Sequence, residues 1–136
     1  MIKIGVTTHY LDQKLEILNQ QLSILDNYKI LNPKVTENEA RMHLASFLFR
    51  NETVLQKIGN LSSGEKIRAA LACVLLAEKP PELLMLDEPT NHLDLENLEC
   101  LESILKNYEG ALIIISHDQK FIKHLDINKI IYAPFV

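Results

Sequence analysis

The chain has 136 residues, 47% of them hydrophobic, with a formal net charge of −4 and two cysteines. That length suits one domain, the apolar share supports a packed core over global disorder, and the acidic balance gives no direct signal for nucleic-acid binding. No apolar run approaches the roughly 20 residues of a membrane span, Met1–Tyr10 has no secretory pattern, and Cys73 and Cys100 are not spaced as a metal or redox pair, so free thiols in a reducing cytoplasm are expected.

Lys3 to Thr7 reads as a short strand. Leucines at 11, 15, 18, 22 and 25 alternate as on a helical seam, which faces either a partner helix or the chain's own core. Asn32-Pro33 ends that segment. Thr36-Glu37-Asn38-Glu39 is a capping box for a helix whose apolar face is Ala40, Leu44, Phe47 and Leu48. Gly59-Asn60 breaks the chain. A second amphipathic helix is expected from Glu65 to Glu78, with Ile67, Ala70, Leu71, Val74 and Leu75 on one side, stopped by Lys79-Pro80-Pro81.

Leu83-Leu84-Met85-Leu86 is continuously apolar, as suits a parallel strand buried on both faces. A helix from Leu95 to Tyr108 follows, then a second buried strand, Ala111 to Ile115, a short helix, and a last strand from Lys129 to Ala133. Alternating strands and helices imply a parallel sheet. The fold class is α/β.

The two apolar strands end in titratable groups, Asp87 and Glu88 on one and His117 on the other. Ligands of open α/β sheets sit outside the carboxyl ends of the strands, and phosphate-cleaving enzymes place a magnesium-holding carboxylate beside a base in this way. An acid after a strand can equally just cap the next helix. Ser62 and Gly64 precede a helix N-terminus, where free amides attract anions; Ser62 also reads as a plain N-cap. His92 reads as a loop residue. His9, His43 and His124 have no convergent partners in the sequence.

Taken together, Leu61-Ser62-Ser63-Gly64-Glu65-Lys66, Leu86-Asp87-Glu88-Pro89-Thr90-Asn91-His92-Leu93-Asp94 and Ser116-His117-Asp118 resemble, in order and spacing, the signature, the Walker B strand with its D-loop, and the H-loop of ABC ATPases. The Asn-His-Leu-Asp of the D-loop is similar to that of the ABC-F family, soluble proteins with two cassettes on one chain, many acting at the ribosome in translation or antibiotic resistance. The resemblance implies part of a RecA-like P-loop NTPase sheet (residues 1–9 and 81–136) plus a helical signature subdomain (about residues 10–80). It implies ATP and Mg²⁺ as ligands and, as partners, a second cassette or the N-terminal half, with the ribosome a candidate target. Asp87 is then the magnesium carboxylate, Glu88 the base for the attacking water and His117 the γ-phosphate sensor. Ser62, Ser63, Gly64 and Glu65 contact nucleotide on the opposite cassette, and Asn91 and Asp94 belong to the loop joining the composite sites.

Three departures stand out. Ser63 replaces the second glycine of the signature. The magnesium-binding glutamine of the family falls at His9 when counted from Gly5, with Gln13 the nearest glutamine; the reading favours Gln13. No GxxxxGK[ST] segment occurs, and the glycines are only Gly5, Gly59, Gly64 and Gly110, so a phosphate-cradling loop is expected upstream of Met1, in a truncated or split product that is inactive alone. The absent part is expected to remove a central strand from between those bearing Asp87 and His117, leaving apolar edges prone to association. Two other roles stay open, a non-catalytic fragment docking on another cassette and the ATPase subunit of a transporter.

Overall fold

The structure is a computed structural model that describes residues 5–132. Strand β1 (Thr8–Leu11) leads into helices α1 (Ile24–Leu31), α2 (Glu37–Ser46) and α3 (Ser63–Leu75), followed by β2 (Leu83–Asp87), α4 (Leu95–Asn107), β3 (Ala111–Ile115) and α5 (Gln119–His124). All three strands are parallel, in the order β1-β2-β3. One core runs from Leu11 to Phe121, with Tyr28, Phe49 and Phe121 among its largest side chains.

Local rules explain most helix ends. Thr36 caps α2 through a reciprocal pair, its Oγ1 accepting from Glu39 N–H at 3.2 Å while Glu39 Oε2 accepts from Thr36 N–H at 2.9 Å. Ser62 and Glu65 repeat the arrangement at α3. Ala69, Ala70 and Ala72 are fully buried in α3; small side chains let α1, α2 and α4 close around it. Helix α3 starts at Ser63 and ends at Leu75, short of the expected Glu78. Leu48, expected on the apolar face of α2, lies beyond its end, exposed and with φ of 67°.

Four expectations are overturned. The first strand begins at Thr8, so of the expected Lys3–Thr7 strand, residues 5–7 are not strand and the rest lies outside the described residues. The leucine seam is not a helix: Leu11 ends β1, Leu15 turns the chain at φ of 51°, and only Leu25 belongs to α1. Its leucines nonetheless pack on their own core, Leu11, Leu15, Leu18 and Leu25 all being buried. Of the expected Lys129–Ala133 strand, residues 129–132 form no strand and Ala133 lies outside the described residues. Finally, β2 and β3 pair directly from Leu83↔Ala111 to Asp87↔Ile115, leaving no gap for a strand between them; an added strand has to lie outside this pair. The apolar exposure itself is present, Ile113 and Ile115 being 48% and 51% exposed.

Asn27 explains why residues 19–23 hold a loop where the spacing suggested a helix. Only 3% exposed, its side chain donates to the carbonyls of Asn19 (3.0 Å) and Ser23 (2.9 Å) and accepts from Asn19 N–H (2.8 Å). One amide thus satisfies the loop's buried backbone in place of a helical ladder. Gly64 makes a second tight contact: a Cβ there would lie 2.6 Å from Asn97 Cβ and Cγ, so the α3 and α4 N-termini touch without intervening space.

Two stability outcomes follow. Asn27→Ala strips partners from buried groups and should destabilise by about 1–3 kcal/mol, read as a lower urea midpoint at unchanged slope; an unchanged midpoint would remove Asn27 as the loop's anchor. Gly64→Ala should cost about 1–3 kcal/mol through overpacking. Because Asn97→Gly removes both the Cβ and the Cγ that Gly64→Ala meets, the double variant should be more stable than the sum of the single effects, and additivity within about 0.5 kcal/mol would show that the two helices do not press on each other there.

Candidate functional site

The carboxyl ends of all three strands form one rim. Register places Leu11 opposite Leu86 and Asp87 opposite Ile115. The ladder then continues one residue further, Glu88 N–H donating to Ile115 C=O at 2.8 Å. That bond brings Glu88 beside Ser116-His117, and His117 Nδ1 meets Glu88 Oε1 directly. Ionised Glu88 can only accept, so Nδ1 carries the proton in this contact. The Glu88 side chain is 11% exposed and that of His117 72%, giving a largely enclosed carboxylate held by a surface imidazole.

Glu88 has φ of 48°, a left-handed backbone that a side-chain-bearing residue adopts at a cost of roughly 1–2 kcal/mol. The next residues turn tightly, Asn91 N–H donating to Glu88 C=O at 3.3 Å and His92 taking φ of 62°. Such strain concentrates where function requires a fixed geometry. Beside it, Asp87 Oδ2 accepts from the Tyr10 hydroxyl at 3.0 Å. The Asp87 hydrogen bond is also the main reason the Tyr10 phenol is held above its ordinary pKa.

The rim thus brings Asp87, Glu88 and His117 together. Gln13 stands just past the end of β1, on this side of the sheet, whereas His9 sits within β1 opposite Leu84. A second cluster gathers at the N-termini of α3 and α4, where Ser62, Glu65, Arg68, Asp94 and Asn97 line a recess of about 340 Å³. Asp94 caps α4, accepting from Asn97 N–H at 2.9 Å, and Ser62 caps α3, so its capping reading holds. Ser63 is the exposed first residue of α3, Gly64 is buried against Asn97, and Asn91 is exposed in the turn between the clusters.

Tyr10 and Asn97 were not singled out by the sequence. Recognising Tyr10 required the β1 register, which the misplaced first strand hid; Asn97 had a local signal, three residues after a capping aspartate. Two histidines that had seemed alone have partners: His43 Nδ1 lies 2.6 Å from the Tyr28 hydroxyl and His124 Nδ1 3.0 Å from Glu102 Oε1. Burial raises Tyr28 to about 12 and Cys73 likewise to about 12, which makes Cys73 an unreactive buried thiol.

Among the described residues no cluster of three or more His, Cys, Asp or Glu side chains could hold a metal ion. Magnesium in a phosphate site takes one or two carboxylates and draws its other ligands from water and phosphate oxygens. Asp87 carries a carboxylate of the type such a site needs. No helix among the described residues is long and apolar enough to cross a membrane.

Comparison with known proteins identifies the family and the fold. The family described as ABC transporter matches residues 3–91. The chain is 42% identical over 121 residues to the putative ATP-binding protein YdiF of Bacillus subtilis, covering 89% of this chain and 18% of that protein. To the probable ATP-binding protein YheS of Haemophilus influenzae it is 40% identical over 121 residues, with 88% and 19% covered. It therefore spans about a fifth of the length of these relatives. Among solved structures, the dimeric post-hydrolysis state of the ATP-binding cassette MJ0796 bound to ADP and Pi aligns with a TM-score of 0.69 at 21% identity, over 88% of this chain and 56% of that one. The α/β fold is that of an ABC ATPase cassette, and the chain belongs to the ABC transporter family.

Proposed function

We propose that this chain supplies the hydrolytic rim and the signature helix of an ABC-F type ATPase, which converts ATP to ADP and phosphate once another polypeptide segment cradles the phosphates. The observation that carries the reading is the Glu88–His117 contact beside Asp87 at the ends of two paired parallel strands. Asp87 would hold magnesium, and Gln13, just past the end of β1, would add an amide oxygen. The ion's chemistry there is to neutralise charge on the phosphate oxygens. Glu88 takes a proton from the attacking water, and its enclosure and left-handed backbone keep the carboxylate in one position. His117 orients Glu88 and hydrogen-bonds the terminal phosphate.

At the second cluster Ser62, Ser63, Gly64 and Glu65 face the nucleotide of another cassette, and Asn91 and Asp94 link the two composite sites. The helical portion, about residues 10–80, and the sheet portion then serve different nucleotides. The relatives named as ATP-binding proteins support the ATP ligand, and the Asn91-His92-Leu93-Asp94 string supports the ABC-F assignment, to which the proposal adds a cytoplasmic setting and a ribosomal target in translation or antibiotic resistance. A second reading, a non-catalytic piece that docks on another cassette, draws on the exposed Ser62 and Ser63 at the start of α3.

Calorimetric titration separates the two readings. With no GxxxxGK[ST] among its 136 residues, the chain alone should not bind Mg-ATP saturably, and adding the polypeptide that carries the phosphate loop should restore binding and turnover. Binding by the chain alone would refute the dependence on that loop; binding without turnover in the mixture would favour the docking role.

Within the active assembly, Glu88→Gln should leave Mg-ATP affinity within a few-fold and slow hydrolysis by about 10²–10⁴, measured as phosphate release. An unaltered rate would mean that Glu88 is not the base.

A further inference from the structure

The Tyr10 hydroxyl has no role in the reading above, yet it makes a defined contact with the proposed magnesium carboxylate. Tyr10 pairs with Met85 in the β1–β2 register, two residues before Asp87 and hence on the same sheet face. A diagonal neighbour at that offset is within reach of a long aromatic side chain, and the phenol spans the distance, its Oη lying 3.0 Å from Asp87 Oδ2.

We infer that Tyr10 is a positioning residue for the divalent cation: its hydroxyl holds one oxygen of Asp87, so the other is presented at the rim in a fixed direction. This rests on the reading of Asp87 as the magnesium carboxylate. A neutral donor suits the task. Lysine or arginine in its place would hold the carboxylate but compete with the cation for its charge, whereas a phenol donates one hydrogen bond and leaves the negative charge in place. Carboxylates that bind metals are commonly held by such outer partners, whose loss costs about 10–100-fold in metal affinity or activity. The contact is exposed, so the lower end applies.

Two measurements test this. With 3-fluorotyrosine at position 10 in the metal-free chain, Asp87→Asn should move the fluorine resonance. An unmoved resonance shows that the two side chains do not meet in solution and overturns the inference without reference to catalysis. In the ATP-hydrolysing assembly, Tyr10→Phe should raise the Mg²⁺ concentration for half-maximal hydrolysis about 10-fold with little change in the rate at saturating Mg²⁺. A purely structural tyrosine would lower that rate or the melting temperature and leave the Mg²⁺ dependence alone, a result that rejects the positioning role. If Asp87→Asn abolishes hydrolysis and Tyr10→Phe leaves the Mg²⁺ midpoint unchanged, this inference falls and the proposed function stands; if Asp87→Asn hydrolyses ATP normally, both fall together.

Discussion

The parallel pairing of β2 with β3 is the contact on which the assembly of the rim, and the chemistry proposed for it, depends. Asp87 and Glu88 lie 30 and 29 positions before His117 in the chain, and nothing local brings them together. The register does, and the Glu88 N–H to Ile115 C=O bond carries it one residue past the last strand pair. A slip of one residue would put Asp87 on the opposite face and separate Glu88 from the imidazole, because side-chain direction in a strand alternates with every residue. Both strands are almost wholly apolar, so alternation within each of them specifies that register only weakly. The ends have to specify it, through the turn at Glu88 with its positive φ and the cap that Asp118 gives α5, where Phe121 is fully buried.

Capping chemistry was the most legible part of the sequence. Thr36 with Glu39 and Ser62 with Glu65 each satisfy free amides using residues three apart, and both helices start at those caps. The motifs bearing Asp87, Glu88 and His117 could be read for the same reason: a short apolar run followed by a polar residue marks both an element and its end. Non-local geometry was illegible. A seven-residue alternation of leucines satisfies a helix pattern equally well when the leucines come from a strand end, three turns and a helix start, since burial constrains only where the side chains finish. Deciding between them required knowing that Asn27, itself eight residues beyond Asn19, folds back to hold that residue's backbone.

Strand order was misjudged because an apolar strand says that both faces want cover and says nothing about which strand lies beside it. The same limit hid Tyr10. Its link to Asp87 spans 77 residues and exists only once β1 is set against β2 at a particular register. The residues that proved easiest to miss are thus those whose partners are distant in sequence.

One face of the sheet is buried in the core, and the other joins the apolar surface to the reactive groups. On the inner side Leu11, Leu84 and Leu86 are buried, while on the outer side Tyr10 and Ile115 are both 51% exposed and Ile113 48%. Register sets Tyr10, Met85 and Ile113 in one row, with Asp87 and Ile115 in the row nearer the rim. Apolar side chains in such number call for cover, because buried faces are the rule for parallel strands. Asp87 stands at the margin of that same outer face, so whatever packs over Ile113 and Met85 also removes water from around the carboxylate. Desolvation strengthens every charge interaction made there. With Asp87 as the proposed cation ligand, covering that face would complete the hydrophobic core and tighten the carboxylate's grip in a single event, tying the stability of this fold to the proposed chemistry.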